Sequence, residues 1–386
     1  MTQQIIDSKA LMLDFAHESG LSDASRKPRR YLWTDAFAVC NFLGLYGQTG
    51  EQQYLQLALD LVDQVHQVLG KYHQLSNHSG WISGLDDQQA RLHPTRGGLR
   101  IGKKLDERQT SESYDEQLEW DRDGQYYHYL TKWMHALNRV SQVTNDSKYN
   151  QWALELAKVA HAAFTYTTPN GNIRMVWKMR IDLSDPLVDS MGYHDPLDGL
   201  ITYEHLQATS KQFSDTPIEL SLIDEIEDMV KLCQGRNWAT QDSLGLGGLL
   251  SDACRLTQLI TSQHVNEHLR LELLLNDIDI SLKAFVQQNQ LNLPAEYRLA
   301  FRELGLSIGL QGIERMQKLV KQHAGDFSNL SQLSDDLIEL AAYKPISDTI
   351  NNFWLQPTHR NVEAWVDHAD INNVMLATSL APDGYL

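Results

Sequence analysis

The feature that most restricts how this chain can fold is an internal repeat with an offset of 95 residues. Residues 46–61 (YGQTGEQQYLQLALDL) and 141–156 (SQVTNDSKYNQWALEL) carry a threonine, a tyrosine, an alanine and two leucines at equivalent positions. In each copy one helical pattern ends, a short polar turn containing Thr-Gly or Thr-Asn follows, and a second amphipathic pattern begins. The repeat therefore predicts an αα-hairpin that is used at least twice.

Helical periodicity continues through nearly the whole sequence and gives about a dozen helices. A sustained strand pattern is absent, and we expect only short strands, within 80–115 or 165–185. No Pro- or Ser-rich linker interrupts the chain, so we predict one all-α domain over residues 1–386. Hairpins repeated at this loose spacing favour a closed toroid over an open solenoid, which would show a tighter and more regular period.

Two predicted helices, 33–46 and 125–140, are rich in large apolar residues on all sides, whereas 51–69 and 148–164 have a clear polar face. A helix that is apolar all round is buried all round, and a helix with a polar face borders solvent. We therefore expect the first two in an inner layer and the other two in an outer layer.

The repeated pattern of helix, Thr-Gly-x-x-x-Tyr-x-x-x-Ala and helix resembles the hairpin of the six-hairpin glycosidase superfamily, the (α/α)6 toroids. The resemblance implies an inner and an outer ring of helices, with a site in a bowl lined by the loops that lead into the inner helices. It also implies that Trp33-Thr-Asp35 and residues 119–123 lie at the starts of inner helices and face one bowl. No motif assigns the chain to one family of the superfamily, and the reaction type stays open.

The densest set of reactive side chains lies in residues 119–133 (EWDRDGQYYHYLTKW). Such a mixture is poor core material, because each buried charge needs a partner, but it suits a sugar, which offers both hydroxyl groups and apolar C–H faces. In an extended backbone, Glu119, Asp121 and Asp123 would point the same way. The alternative is that Asp121 or Asp123 caps a helix that starts near Gln125.

Glycoside hydrolysis requires one protonated carboxyl group and one ionised carboxylate. We predict Glu119, among aromatic residues, as the acid, and Asp121 or Asp35, beside charged neighbours, as the ionised partner. Asp123 completes the candidate catalytic set. The predicted sugar contacts in these and neighbouring segments are Trp33, Trp81, Trp120, Tyr127 and His128.

Two other segments are candidates for substrate binding. Arg96 and Arg100 lie in a long polar loop, 91–104, and are suited to clamp an anionic group of a sugar, unless the loop is a solvated connector. Asp195 and Asp198 precede or open another helix, where each is either a substrate ligand or a helix cap. Between the acidic regions, we expect residues 119–123 to hold the chemistry.

The composition restricts the partners and the location. A formal net charge of −17 argues against nucleic acid and anionic membranes as partners. No apolar run reaches the length of a membrane span, and no secretory signal is visible at the N-terminus. Three scattered cysteines are too few for a disulfide framework, so we expect a cytoplasmic protein. Without a dinucleotide, phosphate-loop or metal-ligand motif, we expect no cofactor and no metal.

These observations predict a carbohydrate-active enzyme, a glycoside hydrolase that uses paired carboxylates on a sugar or oligosaccharide substrate. One alternative is an isomerase or epimerase of the same fold, with His128 or His194 as a base beside a sugar carbonyl. The other alternative is a toroid that binds a carbohydrate or a protein partner without turnover.

Overall fold

The computed structural model describes residues 2–74, 76–109, 111–262 and 270–386, which contain sixteen α-helices and five short strands. The helices are α1 (Gln3–Glu18), α2 (Leu32–Thr49), α3 (Gln52–Leu69), α4 (Asp87–Leu92), α5 (Glu116–Asp121), α6 (Tyr127–Thr144), α7 (Ser147–Phe164), α8 (Asp195–Ser210), α9 (Ile223–Cys233), α10 (Ser243–Thr261), α11 (Leu271–Gln287), α12 (Ala300–Gln322), α13 (Leu330–Ala341), α14 (Pro345–Leu355), α15 (Glu363–Val366) and α16 (Ala369–Leu380). The strands are β1 (Gln125–Tyr126), β2 (Thr165–Thr167), β3 (Ile173–Met175), β4 (Lys178–Met179) and β5 (Pro186–Val188). None of the helices in the described residues is both long and apolar enough to cross a membrane.

The repeat forms two matching hairpins, α2 with α3 and α6 with α7. All four helix boundaries of the second hairpin follow those of the first at the 95-residue offset. The Thr49 and Thr144 hydroxyls each donate a 2.7 Å hydrogen bond to the carbonyl four residues earlier. Gly50 and Asn145 then end their helices in the left-handed conformation, with φ of 71° and 54°, which these residue types adopt at low cost. The predicted hairpins are confirmed.

The chain divides into two compact units, one of residues 1–15 with 235–386 and one of residues 16–234. In the second unit, α6 packs between α2 and α8, while α3, α7 and α9 each pack on their hairpin partner. Burial follows the predicted layers in the first hairpin, where 13 of 18 residues of α2 and 7 of 18 of α3 are buried. In the second hairpin the numbers are 11 and 10, because α8 and residues 93–96 also pack on α7. The prediction of a single domain stays a prediction.

In the unit of residues 1–15 and 235–386, α10 and α12 are in direct backbone contact. A Cβ atom on Gly247 would lie 2.2 Å from the carbonyl oxygen of Gly305, and one on Gly309 would lie 2.5 Å from that of Gly247. Helix α11 packs on α10, and α13, α14 and α16 pack on α12. Helix α1 joins this unit where the Ser8 hydroxyl donates to the Ala377 carbonyl at 3.1 Å. Glycine at the crossing therefore sets the separation of the two longest helices of this unit.

The strands bring distant segments together beside α6. β1 pairs with β4, with Tyr126 opposite Lys178, and β4 also pairs with β5. β2 and β3 form a separate hairpin. Strands were expected only within 80–115 or 165–185, and β2, β3 and β4 lie in the second range. β1 and β5 lie outside both ranges, and the described part of 80–115 (Thr110 lies outside it) has only isolated bridges.

Candidate functional site

The sequence analysis considered an extended backbone for residues 119–123, but most of this segment is helical. Helix α5 includes Glu119 and Asp121, because Asp115 accepts a hydrogen bond from the Leu118 amide and caps the helix. Glu119 is consequently buried and Asp121 exposed, so the three carboxylates do not share one direction. The alternative, a cap on α6, is also wrong, because α6 is preceded by Tyr126, which makes no side-chain cap bond.

Glu119 is held by two cations. Its carboxylate oxygens lie 2.8 Å from Lys178 Nζ and 3.0 Å from Arg108 Nε. The fully buried Lys178 also donates to the backbone carbonyls of Glu119 and Arg122, at 2.7 and 3.1 Å. Burial lowers the pKa of Lys178, and the Glu119 carboxylate opposes that shift. Glu119 thus anchors α5 to β4.

Asp123 and Arg100 form a second buried ion pair. The other Asp123 oxygen accepts the amide hydrogens of Gly102 and Gly124, both at 3.0 Å. Arg100 also donates to two backbone carbonyls, so each of its guanidinium nitrogens binds within the protein, and its role as an anion clamp stays a prediction. Arg96 lies on the surface and pairs with the buried Glu155, at 2.9 and 3.0 Å.

Asp35 and three of the predicted sugar platforms are buried. Asp35 accepts the Tyr31 amide hydrogen at 2.8 Å and lies 3.4 Å from Arg30, which fastens the start of α2. Three of the predicted sugar platforms have less than a tenth of their surface exposed and pack within the protein: Trp33 against Phe37 and Tyr129, Trp81 with its indole N–H on Asp87, and Tyr127 with its hydroxyl on Tyr203.

Asp195 differs from the other carboxylates at the starts of α6 and α8. Its Oδ1 lies 3.8 Å from His128 Nδ1, and its buried Oδ2 has no hydrogen-bond partner. Oδ2 is enclosed by the turn before α8, where a Cβ atom on Gly192 would lie 2.2 Å from it. The neighbouring Asp198 binds α6 instead: its oxygens accept from Lys132 Nζ at 2.7 Å and from the Thr131 hydroxyl.

The surroundings shift the pKa values of Asp195 and His128 in opposite directions. Burial, reinforced by the negative charge of Asp198 and opposed by Lys132, raises the pKa of Asp195 to about 7. Desolvation by the surrounding protein, with Lys132 beside it, lowers the pKa of His128 to about 4, although 36% of the side chain is exposed. Near neutral pH the site therefore holds a neutral imidazole beside a carboxyl group that is partly protonated.

Aromatic rings continue from His128 toward the surface. Tyr126 stacks on His128 at 5.5 Å and on Trp177 at 4.9 Å, the latter with an interplanar angle of 2°. The pairing of β1 with β4 brings Trp177 there, and its buried indole N–H has no partner. Trp120, 51% exposed, lies 5.1 Å from Trp177. Sequence analysis did not select Trp177 or Lys132, although Trp177 continues an alternating pattern with Met175 and Lys132 lies within residues 119–133.

The sequence matches no protein-family model and no curated protein. Its structure is similar to a family 76 glycoside hydrolase from a bovine Bacteroides thetaiotaomicron strain, with a TM-score of 0.55, 10% identity, and coverage of 99% of this chain and 78% of that one. It is also similar to an inactive variant of an α-1,6-mannanase from a Salegentibacter species in complex with α-1,6-mannotetrose, with a TM-score of 0.53, 12% identity and 99% coverage of both chains.

Both similarities extend over nearly all of this chain, although the sequences have diverged to 10–12% identity. The agreement therefore concerns the arrangement of helices, which the matched hairpins α2/α3 and α6/α7 already indicated. The chain has the (α/α)6 toroid fold.

Proposed function

We propose that the chain is a glycoside hydrolase in which Asp195 donates the proton to the glycosidic oxygen. The observation that carries the proposal is a buried carboxyl group with an unpartnered oxygen, at the start of α8 and beside an aromatic wall. A pKa of about 7 keeps part of this carboxyl protonated at neutral pH, as a general acid requires. Hydrolysis then breaks the glycosidic C–O bond and the Asp195 proton goes to the leaving oxygen. The oxygen of water bonds to the sugar carbon, and the proton that this water loses restores the protonated form of Asp195.

The neighbours of Asp195 support this role. Lys132 and Thr131 bind Asp198 and favour its ionised form, and the charge of Asp198 in turn favours protonated Asp195. The rings of Tyr126, Trp177 and His128 supply apolar faces for sugar C–H groups. Since Glu119, Asp123 and Asp35 are bound to cations or amide groups, we assign them to positioning, in contrast to the sequence-based expectation.

The similar structures support α-1,6-linked manno-oligosaccharides as the first substrates to test, since one of the proteins, a Salegentibacter enzyme with two solved structures, is described as an α-1,6-mannanase. The inactive variant among them has two adjacent aspartates replaced by alanine. Adjacent aspartates in this chain include Asp86 and Asp87, of which the first caps α4 and the second binds Trp81 and Arg91. The assignment of Asp195 as the acid therefore rests on its own surroundings and not on a pair of adjacent aspartates.

A second candidate is a sugar epimerase or isomerase. The specific observation is that His128, neutral at pH 7, lies 3.8 Å from Asp195. A neutral imidazole accepts a proton from a carbon beside a carbonyl, and a neighbouring protonated carboxyl group returns one. Proton exchange at carbon distinguishes this reaction from hydrolysis.

One experiment separates the candidates. The protein is incubated with α-1,6-mannotetrose in D2O, and the products are analysed for new reducing ends and for deuterium on carbon. We expect new reducing ends without carbon-bound deuterium, and Asp195→Asn should lower that rate by roughly a hundredfold or more. Asp121→Asn, an exposed carboxylate on α5, is the matched control and should retain the rate.

Deuterium on carbon without new reducing ends would favour the epimerase. An unchanged rate in Asp195→Asn would exclude Asp195 as the acid. Binding without either product, across a panel of oligosaccharides, would favour the toroid that binds without turnover.

A further inference from the structure

We infer that Trp120 is a second sugar contact, outside the acid site, which makes the chain favour longer oligosaccharides over disaccharides. This inference rests on the proposed function, because it assigns an oligosaccharide to the same site. It adds a residue that determines chain-length preference and that does not touch the proposed acid.

The first support is the way Trp120 is exposed. Trp120 belongs to α5, a helix of only six residues, and 51% of its surface is exposed to solvent. Its flanking residues are fixed on both sides. Glu119 binds Lys178 and Arg108, and the Arg122 guanidinium binds the Glu112 carboxylate at 2.6 and 3.0 Å.

Lys178 completes the set of ion pairs and hydrogen bonds around Trp120, which we call the frame. Its ammonium group donates to the carbonyls of Glu119 and Arg122, one residue before and two residues after Trp120. A short helix is marginal by itself, so these ion pairs and hydrogen bonds hold its position. An indole that is held rigidly and left half-exposed loses little conformational entropy when it binds a ligand.

The second support is continuity with the acid site. The Trp120 ring lies 5.1 Å from Trp177, the Trp177 ring lies 6.1 Å from His128, and His128 Nδ1 lies 3.8 Å from Asp195. Two aromatic side chains thus lie between Trp120 and the acid in this row of contacts. When one sugar residue of a glycan is bound at Asp195, a different sugar residue of the same glycan can contact Trp120.

The charges beside Trp120 indicate a neutral sugar. The three cations of this frame, Arg108, Arg122 and Lys178, are each paired with a glutamate. What remains for the ligand is the apolar face of the indole, which packs against C–H groups and not against a carboxylate or phosphate.

The test measures binding in an Asp195→Asn background, so that the ligand is not consumed. The affinities for α-1,6-mannobiose and α-1,6-mannotetrose are compared by titration calorimetry for this variant, with and without Trp120→Ala. We expect the mannotetrose affinity to fall about tenfold and the mannobiose affinity to change less than about twofold. Trp120→Phe should restore part of the loss, since it retains an aromatic face.

Tyr166→Ala is the matched control, because Tyr166 is also half-exposed but lies on the separate β2–β3 hairpin. Circular dichroism confirms that each variant is folded. An equal loss for both sugars, no loss for mannotetrose, or no binding of either sugar before Trp120 is changed would overturn the inference. Length-dependent binding through Trp120 in a protein that never releases reducing ends would overturn the proposed hydrolase and leave the inference intact.

Discussion

The carboxyl groups within residues 16–234 differ in which groups bind their oxygen atoms. Both oxygens of Glu119 contact cations, and those of Asp123 bind Arg100 and two amide groups. One oxygen of Asp195 has no partner. Burial without a hydrogen-bond partner on that oxygen disfavours the charged form of Asp195, and its pKa is raised. This difference, and not the density of charged residues in the sequence, separates the anchors from the proposed acid.

Glu119→Gln tests the anchor. The substitution leaves the buried Lys178 ammonium without its carboxylate, so the free energy of unfolding should fall by roughly 3–5 kcal/mol. Urea denaturation followed by circular dichroism measures it. Asp121→Asn on the same helix is exposed and should change stability by less than about 0.5 kcal/mol. Unchanged stability of Glu119→Gln, together with a lost rate, would instead support the catalytic role that the sequence predicted.

Asp195→Asn tests the pKa of the acid through stability. The pKa of Asp195 rises from 3.8 to about 7 on folding. As pH rises, the unfolded chain therefore loses this proton at a lower pH than the folded protein does. The native protein therefore loses stability as pH rises from about 4 to 7, by roughly 1.4 kcal/mol per unit of pKa shift. The variant lacks that loss, so its stability relative to the unsubstituted protein should increase over this window and stay constant above it.

Denaturation of both proteins between pH 4 and pH 8 provides the measurement. The difference between them is the relevant quantity, because the lowered pKa of His128 makes both proteins less stable as pH falls below 6.5. A difference that does not vary with pH would mean that Asp195 ionises as readily in the folded protein as in the unfolded chain.

The sequence predicted the residues of the aromatic and acidic segment but not their pairing. Lys178 lies 59 residues beyond Glu119 in the chain, and Arg100 lies 23 residues before Asp123. Such partners are set by the β1–β4 pairing and by the loop packing, which local periodicity does not report. Asp195 and Asp198 were recognised as candidates, but the missing partner of Asp195 is visible only in three dimensions.

Secondary-structure elements were predicted well where a local signal repeats. Thr49 with Gly50, and Thr144 with Asn145, end α2 and α6 by contacts within the turn itself, so the sequence alone indicated both hairpins. Helix α5 is too short for periodicity to show, and its cap, Asp115, lies before the segment that was read as extended. Local contacts were therefore predictable, and elements fixed by distant contacts were not.

The close contact between α10 and α12 can be tested by substituting the glycines of α10. Gly247→Ala places a methyl group against the Gly305 backbone, so it should lower the free energy of unfolding by roughly 1–3 kcal/mol or more. Gly248→Ala is the matched control: nothing lies within 4 Å of its Cβ position, and the higher helix propensity of alanine should raise stability by up to ~1 kcal/mol. Chemical denaturation compares the two, and equal effects would mean that the helices separate freely.

At the scale of the whole molecule, the helical periodicity and the repeat predicted a closed toroid of hairpins, and the resemblance to the six-hairpin glycosidases implied the (α/α)6 form, which the similarity to solved structures confirms. Fold and reaction are separate conclusions, because the same scaffold supports different chemistries through its loops. A single domain over residues 1–386 and a cytoplasmic location stay predictions. The reaction is assigned from the contacts of Asp195 and awaits the turnover experiment.

The matched hairpins have a consequence for synthesis on the ribosome. Helix α2, with 13 of its 18 residues buried in the finished protein, is complete with α3 at Leu69, but α6, which covers another side of it, ends only at Thr144. These 75 residues take roughly 4–15 s at about 5–20 residues per second. During that interval the nascent chain exposes an apolar helix face. The order of the hairpins along the chain therefore creates a period in which chaperones and aggregation compete for the emerging protein.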